Sequence, residues 1–248
     1  MSKVTIITPL YNGARYIEQT ILSVIRQTYP DWEMIIVDDC SADHPETVIS
    51  RYVAQDTRIR LIRLDIHSGA AGARNVAIGQ ASGDFIAFLD GDDIWKPEKL
   101  ELQVSFMANQ DLAFSFTTYE ILTQDGKLTG KVVHAPKITD YRHYLRNTVI
   151  GCLTVMINRQ KTGDFRMPLV RSSHDMALWL ELMKRGFKAY GMDEVLASYR
   201  VASSSNSANK FKAAGDVWHV YRDIEKLSFF YSIYNLIGYA FHAIRKRL

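Results

Sequence analysis

The first ninety residues alternate between short apolar runs and segments whose apolar residues recur with a helical period. Apolar runs of this length are typical of buried strands. They lie at residues 4–10, 32–37, 59–64 and 85–89. Helices are predicted between them, at residues 16–28, 46–54 and, after a Gly-rich turn, 69–81. Strands that alternate with helices in this way predict a parallel α/β sheet.

The rest of the chain has a less regular pattern. Its predicted elements are a helix at residues 99–108, a strand at 112–122, a hairpin turn at 124–127, an amphipathic helix at 173–185, a Ser- and Asn-rich loop at 197–212 and a helical region from 217 to the end. Residues 114–171 contain no motif that identifies a substrate.

Composition and charge are those of a globular protein. The chain has 248 residues, of which 47% are hydrophobic and 23% charged, and its net charge of +3 is too small to predict a nucleic-acid partner. Cys40 and Cys152 have neither metal-ligand nor disulfide spacing, which predicts free thiols in a reducing compartment. No apolar run reaches the roughly 18 residues of a membrane span, and the N-terminus lacks the features of a signal peptide. We therefore expect a cytoplasmic protein.

The C-terminal segment suggests contact with a membrane surface. Residues 229–241 are apolar and aromatic, and Arg245, Lys246 and Arg247 follow them. Such a segment is too short to span a bilayer but fits a helix at its surface, with the cations near anionic headgroups. A helix packed on the domain and a subunit contact are equally good interpretations. Peripheral attachment to the inner face of the cytoplasmic membrane is thus one hypothesis, and the sequence predicts no oligomeric state.

Polar side chains follow three of the predicted strands. They lie at residues 8–12, at Asp38-Asp39 and at Asp90-Gly91-Asp92-Asp93. The carboxyl ends of parallel strands meet at one edge of a sheet, where ligands bind. Three carboxylates within four residues are costly to bury without a compensating cation, and a hard divalent cation prefers oxygen ligands and often bridges to phosphates. The alternative for the acidic segment is an ordinary polar turn.

Four segments in order resemble the family 2 glycosyltransferases with a GT-A fold. They are Thr8-Pro9-Leu10-Tyr11-Asn12, Val37-Asp38-Asp39-Cys40-Ser41, Gly72-Ala73-Arg74-Asn75 and Asp90-Gly91-Asp92-Asp93, with weaker continuations at Ser173-His174-Asp175 and Tyr199-Arg200. The resemblance implies a Rossmann-like, nucleotide-sugar-binding sheet flanked by helices, with a C-terminal helical extension. The implied domain covers residues 1–215, with a nucleotide-sugar half (1–110) and an acceptor half (111–215), and the extension covers 216–248.

The resemblance also implies the residues of a nucleotide pocket. Thr8, Pro9, Tyr11 and Asn12 would line it, with the Tyr11 ring as an apolar wall. Asp39 would accept a hydrogen bond from the imide nitrogen of the base, which favours uracil.

Asp38, Asp39 and Arg74 have structural alternatives. Asp38 would cap the following helix or support the pocket. The alternative for Asp38-Asp39 is N-cap chemistry alone, although Ser41 is a candidate for that cap. Arg74 would approach the pyrophosphate or ribose, since guanidinium groups bind phosphate in a bidentate manner. Its alternative is a solvated residue on a helix.

The acidic turn would hold a divalent cation, Mn²⁺ or Mg²⁺, that neutralises the diphosphate leaving group. The resemblance implies that Asp93 ligates this cation, that Asp92 contacts the cation or the ribose, and that Asp90 contacts the sugar or the ribose.

The family's catalytic base corresponds to Asp175, which would take the proton from an acceptor hydroxyl. The alternative is that Asp175 complements a helix dipole. His174 departs from the acidic residue common at its position, and its role in acceptor binding or catalysis is left open. His67 also departs, because Asn is common there. Trp179 is interpreted as a core residue.

Direct displacement at the anomeric carbon implies an inverting transferase. We expect it to move one sugar from a UDP-sugar to a saccharide acceptor, lipid-linked, in bacterial surface polysaccharide synthesis. The Gln-x-x-Arg-Trp signature of processive synthases is absent, which favours addition of a single sugar.

A nucleotidyltransferase is disfavoured because only Gly13 lies in the loop after the first strand. An inactive nucleotide-sugar-binding protein is disfavoured by the intact Asp90, Asp92, Asp93 and Asp175.

Overall fold

The computed structural model of the chain describes residues 2–201 and 210–245. Ten strands are present within them: β1 (Val4–Leu10), β2 (Trp32–Asp38), β3 (Ile59–Arg63), β4 (Phe85–Phe88), β5 (Ile94–Trp95), β6 (Phe114–Leu122), β7 (Leu128–Val133), β8 (Ile138–Thr139), β9 (Met156–Asn158) and β10 (Ala189–Arg200). The α-helices of this part of the chain are α1 (Ala14–Ile25), α2 (Glu46–Gln55), α3 (Gly69–Gly79), α4 (Lys99–Asn109), α5 (Tyr141–Arg146), α6 (Arg159–Thr162), α7 (His174–Lys184), α8 (Lys210–His219) and α9 (Phe229–Arg245). A 3-10 turn lies at Cys152–Thr154, and a π-helical stretch at Val220–Ile224 follows α8.

The strands form one sheet in the order β3-β2-β1-β4-β9-β6-β10-β5, with β7 beside β6 and β8 beside β10. The first four strands are parallel, as their alternation with helices predicts. Beyond them β9 runs antiparallel to both β4 and β6, so it joins the predicted parallel sheet to the strands of the second half. The α/β fold class is therefore confirmed, and a single sheet continues through both halves of the chain.

Helices cover both faces of this sheet. β1 and β2 are buried at every position, as expected for central parallel strands. Ile7 belongs to a core that packs against α3, α5 and α7, whereas its neighbour Ile6 belongs to a second core under α1, α2 and α4. Trp179 lies fully buried in the first core with its ring against Phe88 and Phe114, which confirms its interpretation as a core residue.

The end of the predicted strand–helix pattern needs correction. Residues 197–200 are not part of a loop, because they pair with β6 as the last residues of β10. The strand was not predicted because it contains polar residues, such as Ser198, which is buried and donates to Glu120 Oε1 at 2.7 Å. The helical region begins at Lys210, earlier than the predicted boundary, and residues 225–228 separate it from α9. The predicted loop at 202–209 and the cations Lys246 and Arg247 lie outside the described residues.

A lysine side chain is fully buried at the start of α4. Lys99 Nζ donates to Gln103 Oε1 at 2.5 Å and lies 4.3 Å from the centre of the Trp95 ring. Among the described residues it has no carboxylate partner. Burial without a counter-charge disfavours the ammonium form and lowers the pKa of Lys99 to about 7.

Replacement of this lysine by methionine is expected to change how stability depends on pH. The unfolded chain keeps the Lys99 proton up to about pH 10.4, whereas the folded chain releases it near pH 7. The contribution of Lys99 to the free energy of unfolding therefore rises with pH between these values. Lys99→Met removes this pH-dependent contribution. The free energy of unfolding of the variant minus that of wild type should therefore be about 2 kcal/mol more positive at pH 6 than at pH 9. Urea unfolding at both pH values measures this difference.

The matched control is Lys188→Met, which removes an exposed lysine. Its effect should be the same at both pH values. An equal effect of Lys99→Met at pH 6 and pH 9 would contradict the lowered pKa.

Candidate active site

A cleft of about 1120 Å³ lies at the carboxyl ends of β1, β2 and β4. Most of the predicted site residues line it: Pro9, Tyr11, Asp39, Arg74, Asp90, Asp92, His174 and Asp175. The structure thus brings together side chains from the loops after three parallel strands and from the start of α7. Thr8, Asn12 and Asp93 lie outside this lining.

One end of the cleft contains a buried carboxylate beside two aromatic rings. Asp39 Oδ1 accepts hydrogen bonds from the Ser68 N–H at 2.7 Å and the Ser68 hydroxyl at 3.0 Å. Asp39 Oδ2 lies 3.0 Å from His67 Nδ1 but has no aligned hydrogen bond. The His67 ring packs against Tyr11 with the ring centres 4.4 Å apart. His67 therefore contacts Asp39 and adds an aromatic ring beside it.

Asn12 connects the loops that follow β1 and β2. Its Oδ1 accepts from the Ala42 N–H at 2.8 Å, and its own N–H donates to Ser41 Oγ at 2.9 Å. Its backbone has a positive φ of 50°, a conformation that Asn tolerates better than most residues. Thr8 is buried within β1. The predicted substrate contacts of Thr8 and Asn12 remain predictions.

The capping interpretation of Asp38 and Ser41 is wrong. Helix α2 begins after Pro45 without a side-chain cap. Instead, Asp38 Oδ1 accepts from the Ser41 N–H at 3.0 Å, while Arg63 Nε lies 3.6 Å from Asp38 Oδ2. Asp38 thus stabilises the turn that presents Asp39.

Arg74 occupies the centre of the cleft wall and is almost completely buried. Its Nη2 donates to Asp90 Oδ1, and its Nη1 lies 2.5 Å from His174 Nε2. Burial alone would lower the pKa of Arg74, but the charges of Asp90 and Asp175 outweigh burial and raise it. The guanidinium is therefore a fixed cation between the acidic turn and the start of α7, and not the solvated helix residue of the alternative interpretation.

The acidic turn concentrates negative charge next to a second buried arginine. Asp93 is fully buried, and its Oδ1 accepts from the Arg200 N–H at 2.8 Å. Arg200 Nε donates to the Asp92 carbonyl at 2.8 Å. Burial and the charge of Asp90 raise the pKa of Asp92 to about 6, and burial with the charges of Asp92 and Asp90 raises the pKa of Asp93 well above its usual value.

The donor set of this turn suits a hard divalent cation. Asp90 and Asp92 face the cleft, and Asp93 Oδ2 is a buried oxygen with no hydrogen-bond partner. No group of three or more acidic, His or Cys side chains in the described part of the chain forms a metal site by itself. Mg²⁺ is commonly held by one or two carboxylates together with substrate phosphates. The residues therefore fit a cation that is shared with a phosphate ligand, and Asp93 as a direct ligand remains a prediction.

His174 and Asp175 begin α7 at the opposite side of Arg74. Burial and the charge of Arg74 lower the pKa of His174, so its ring is neutral and its Nε2 can accept from the guanidinium. Asp175 lies in the first turn of the helix and lines the cleft. Its carboxylate has no hydrogen-bond partner within the described residues, so it is open to a ligand.

Sequence reasoning missed much of the remaining wall. The additional lining residues include Tyr119, Tyr144, Thr148, Ile150, Cys152, Arg171, Tyr199, Asp216, Val217 and Tyr239. They come from strands, helices and loops that are distant in the chain, and apart from Tyr199, which lies in the weak Tyr199-Arg200 continuation, no local motif marks them. Burial raises the pKa of the Cys152 thiol well above its usual value, so this cysteine is a neutral wall residue.

Comparison with solved structures identifies the fold. The TarS 1–349 structure from S. aureus in complex with UDP-GlcNAc superimposes with a TM-score of 0.74 at 19% identity, covering 96% of this chain and 71% of that one. The mannosyltransferase PcManGT from Pyrobaculum calidifontis, in complex with GDP-Man and Mn²⁺, gives 0.70 at 20% identity, covering 90% and 64%. The protein thus has the GT-A fold.

Sequence similarity identifies the family. Residues 5–163 match the pattern of Glycosyl transferase family 2. The chain is 50% identical over 245 residues to TuaG of Bacillus subtilis (strain 168), named as a putative teichuronic acid biosynthesis glycosyltransferase, covering 99% of this chain and 97% of the relative. It is 40% identical over 244 residues to the Escherichia coli UDP-Glc:alpha-D-GlcNAc-diphosphoundecaprenol beta-1,3-glucosyltransferase WfgD, covering 98% and 94%. The chain belongs to glycosyl transferase family 2, which confirms the resemblance seen in its motifs.

Substitution of Asn12 should destabilise the loop pair below the cleft. Asn12→Ala removes the hydrogen bond to Ala42 and places an alanine at positive φ, which should cost about 1–2 kcal/mol. Asn12→Gly removes the same hydrogen bond but tolerates the conformation, so it should cost less. Denaturant unfolding of both variants measures the two contributions, and an Asn12→Ala protein as stable as wild type would contradict this role.

Proposed function

We propose that this protein is an inverting, metal-dependent glycosyltransferase that moves one sugar from a UDP-sugar to a lipid-linked saccharide in bacterial surface polysaccharide synthesis. The observation that carries the proposal is the arrangement around Arg74. The acidic turn and Asp175 share one cleft, and the charges of Asp90 and Asp175 both act on this buried guanidinium. A cation-binding turn beside an open carboxylate suits a reaction that releases a diphosphate and removes a proton.

The donor proposal rests on the end of the cleft at Asp39. Uracil presents a single N–H between two carbonyls, and Asp39 Oδ2 is an acceptor without an aligned donor. The Tyr11 and His67 rings offer an apolar surface for the base. The UDP-GlcNAc of the TarS complex and the UDP-Glc in the name of WfgD support the same donor class.

The cation, held by Asp92 together with the donor diphosphate, would stabilise the negative charge that develops on the leaving group. Asp93, behind it, would supply a further negative charge or a direct ligand. Arg74 would add a fixed positive charge near the diphosphate without having to move, because Asp90 and His174 already orient it.

Asp175 would act as the general base. An acceptor hydroxyl attacks the anomeric carbon as the bond from that carbon to the diphosphate oxygen breaks. The proton goes to the Asp175 carboxylate, and the electron pair of the broken bond leaves with UDP. Attack from the side opposite the leaving group inverts the anomeric carbon.

The acceptor would lie along the wall formed by Tyr119, Tyr144, Tyr199 and Tyr239. The lipid-linked class is supported by the name of WfgD, whose acceptor is alpha-D-GlcNAc-diphosphoundecaprenol. No helix among the described residues is long and apolar enough to cross a membrane. We propose that the protein works as a peripheral enzyme at the inner face of the cytoplasmic membrane.

UDP binding is expected to require a divalent cation. Calorimetric titration with UDP in the presence of Mn²⁺ should give an affinity at least about tenfold higher than titration in the presence of a chelator, because the cation links the turn to the diphosphate. Asp92→Asn should remove most of this Mn²⁺-dependent increase in UDP affinity. The control Asp164→Asn, an exposed aspartate outside the cleft, should bind as wild type does. Equal UDP affinity with and without metal would reject the metal proposal, and tighter GDP binding would reject the uridine proposal.

Asp175→Asn should separate donor binding from transfer. We expect UDP affinity close to that of wild type and a transfer rate lower by about two to four orders of magnitude, the usual range for loss of a general base. UDP release from UDP-glucose with an N-acetylglucosaminyl diphospholipid acceptor measures the rate. The matched control is Glu181→Gln, which changes another carboxylate of α7 outside the cleft lining. A wild-type rate in Asp175→Asn would place the base elsewhere.

A further inference from the structure

Helix α9 exposes an apolar face. Four apolar or aromatic residues at helical spacing face solvent: Phe230 is 82% exposed, Tyr234 56%, Ile237 66% and Phe241 62%. On the inner side, Leu236 and Tyr239 pack against the core. Ser232 and Asn235 are fully buried there and donate to the backbone carbonyls of Ser228 at 2.9 Å and Tyr231 at 2.8 Å. An exposed apolar face of this length indicates an external partner.

An apolar groove of about 550 Å³ continues this face onto α5. Its walls include Ile138, Tyr234, Ile237 and Phe241. The two helices approach closely at Gly238, where an added Cβ would lie only 3.0 Å from the Arg146 side chain. The groove is therefore a built feature of the packing between α5 and α9.

The groove contains an arginine side chain. Arg146 lines it and donates to the Tyr234 hydroxyl at 3.0 Å, and it has no carboxylate partner among the described residues. No Asp or Glu occurs in the seventeen residues of α9. Lys246 and Arg247 follow the helix in the sequence. An apolar face beside an arginine without a carboxylate partner complements a surface that is apolar beneath and anionic above.

The same helix forms part of the catalytic cleft. Tyr239 of α9 lines the cleft, while its neighbours Ile237 and Gly238 line the groove. A partner on the exposed face of α9 would therefore be separated from the cleft by a single helix. This continuity connects the surface to the acceptor side of the proposed reaction.

We propose that the exposed face of α9, defined by Phe230, Tyr234, Ile237 and Phe241, docks the enzyme on the surface of an anionic lipid bilayer. A helix of seventeen residues is about 25 Å long, too short to cross a bilayer, and its apolar stripe suits insertion parallel to the membrane plane. The aromatic rings lie among the acyl chains and glycerol groups, and Arg146 meets the lipid phosphates. This inference rests on the proposed function, since the bilayer also carries the lipid-linked acceptor.

The test is co-sedimentation of the full chain with vesicles of phosphatidylcholine, with and without phosphatidylglycerol. Wild type should bind the anionic vesicles more strongly, and added salt should weaken the binding. Phe230→Ser/Phe241→Ser should reduce partitioning at least about tenfold, because it removes the most exposed apolar area. Both residues are exposed, so the fold should be retained, and UDP binding verifies this. The matched control Leu128→Ser/Val132→Ser changes exposed apolar residues of β7 and should bind as wild type does.

Three results would overturn the proposal. Wild type could remain in the supernatant with anionic vesicles at low salt, or the α9 double variant could bind as well as wild type. Alternatively, wild type could form a dimer in sedimentation velocity without lipid and fail to bind vesicles, while the α9 double variant is a monomer. That result would assign the face to a second copy of the chain.

Turnover with a short-chain, water-soluble acceptor separates this inference from the proposed function. If only the bilayer proposal fails, this turnover persists in wild type while vesicle binding is absent. If only the proposed function fails, vesicle binding persists and turnover is absent.

Discussion

The negative charge buried after β4 is the constraint on which the rest of the site depends. Asp90, Asp92 and Asp93 follow one another in a turn at the centre of the sheet, and buried carboxylates are tolerated only with partners. Arg74 of α3 donates to Asp90, while Arg200 at the end of β10 reaches the turn through its backbone N–H to Asp93 and its Nε–H to the Asp92 carbonyl. The turn therefore depends on contacts from residues that are far apart in the chain.

Each arginine also fixes elements that lie further away. Arg200 donates to Gln19 Oε1 on α1 at 2.7 Å and to the Gln124 carbonyl in the β6–β7 hairpin at 3.1 Å, and its guanidinium lies 4.9 Å from the Tyr16 ring. Arg74 contacts His174, which begins α7. Arg200 thus connects the turn to α1 and to the hairpin, and Arg74 connects it to the start of α7. Asp175 follows His174 directly in that helix.

The sequence predicts those parts of the fold that local patterns determine. The four parallel strands and their polar ends follow from apolar runs and their breaks, and the motif residues Tyr11, Asp39, Arg74 and Asp175 meet in one cleft as expected. The insertion of β9 beside β4 depends on a pairing between distant segments, and no local pattern encodes it.

Long-range contacts account for what the motifs did not reveal. The side chain of Asn12, whose substrate contact remains a prediction, bonds to a backbone N–H in another loop. Ser41 resembles a helix cap but accepts from Asn12. Tyr239 reaches the cleft only because α9 packs against α5 and the π-helical stretch that follows α8. In each case the partner is far away in the chain, so spacing within a motif could not reveal it.

The two walls of the cleft differ in how the chain builds them. The wall with Pro9, Asp39 and Asp92 comes from one continuous run of strands and loops, in which neighbouring loops contact each other. The facing wall is assembled from β6, α5, the 3-10 turn, β10, α8 and α9, each of which contributes only one to a few side chains. Substitutions can therefore accumulate in the second wall during evolution without disturbing the first.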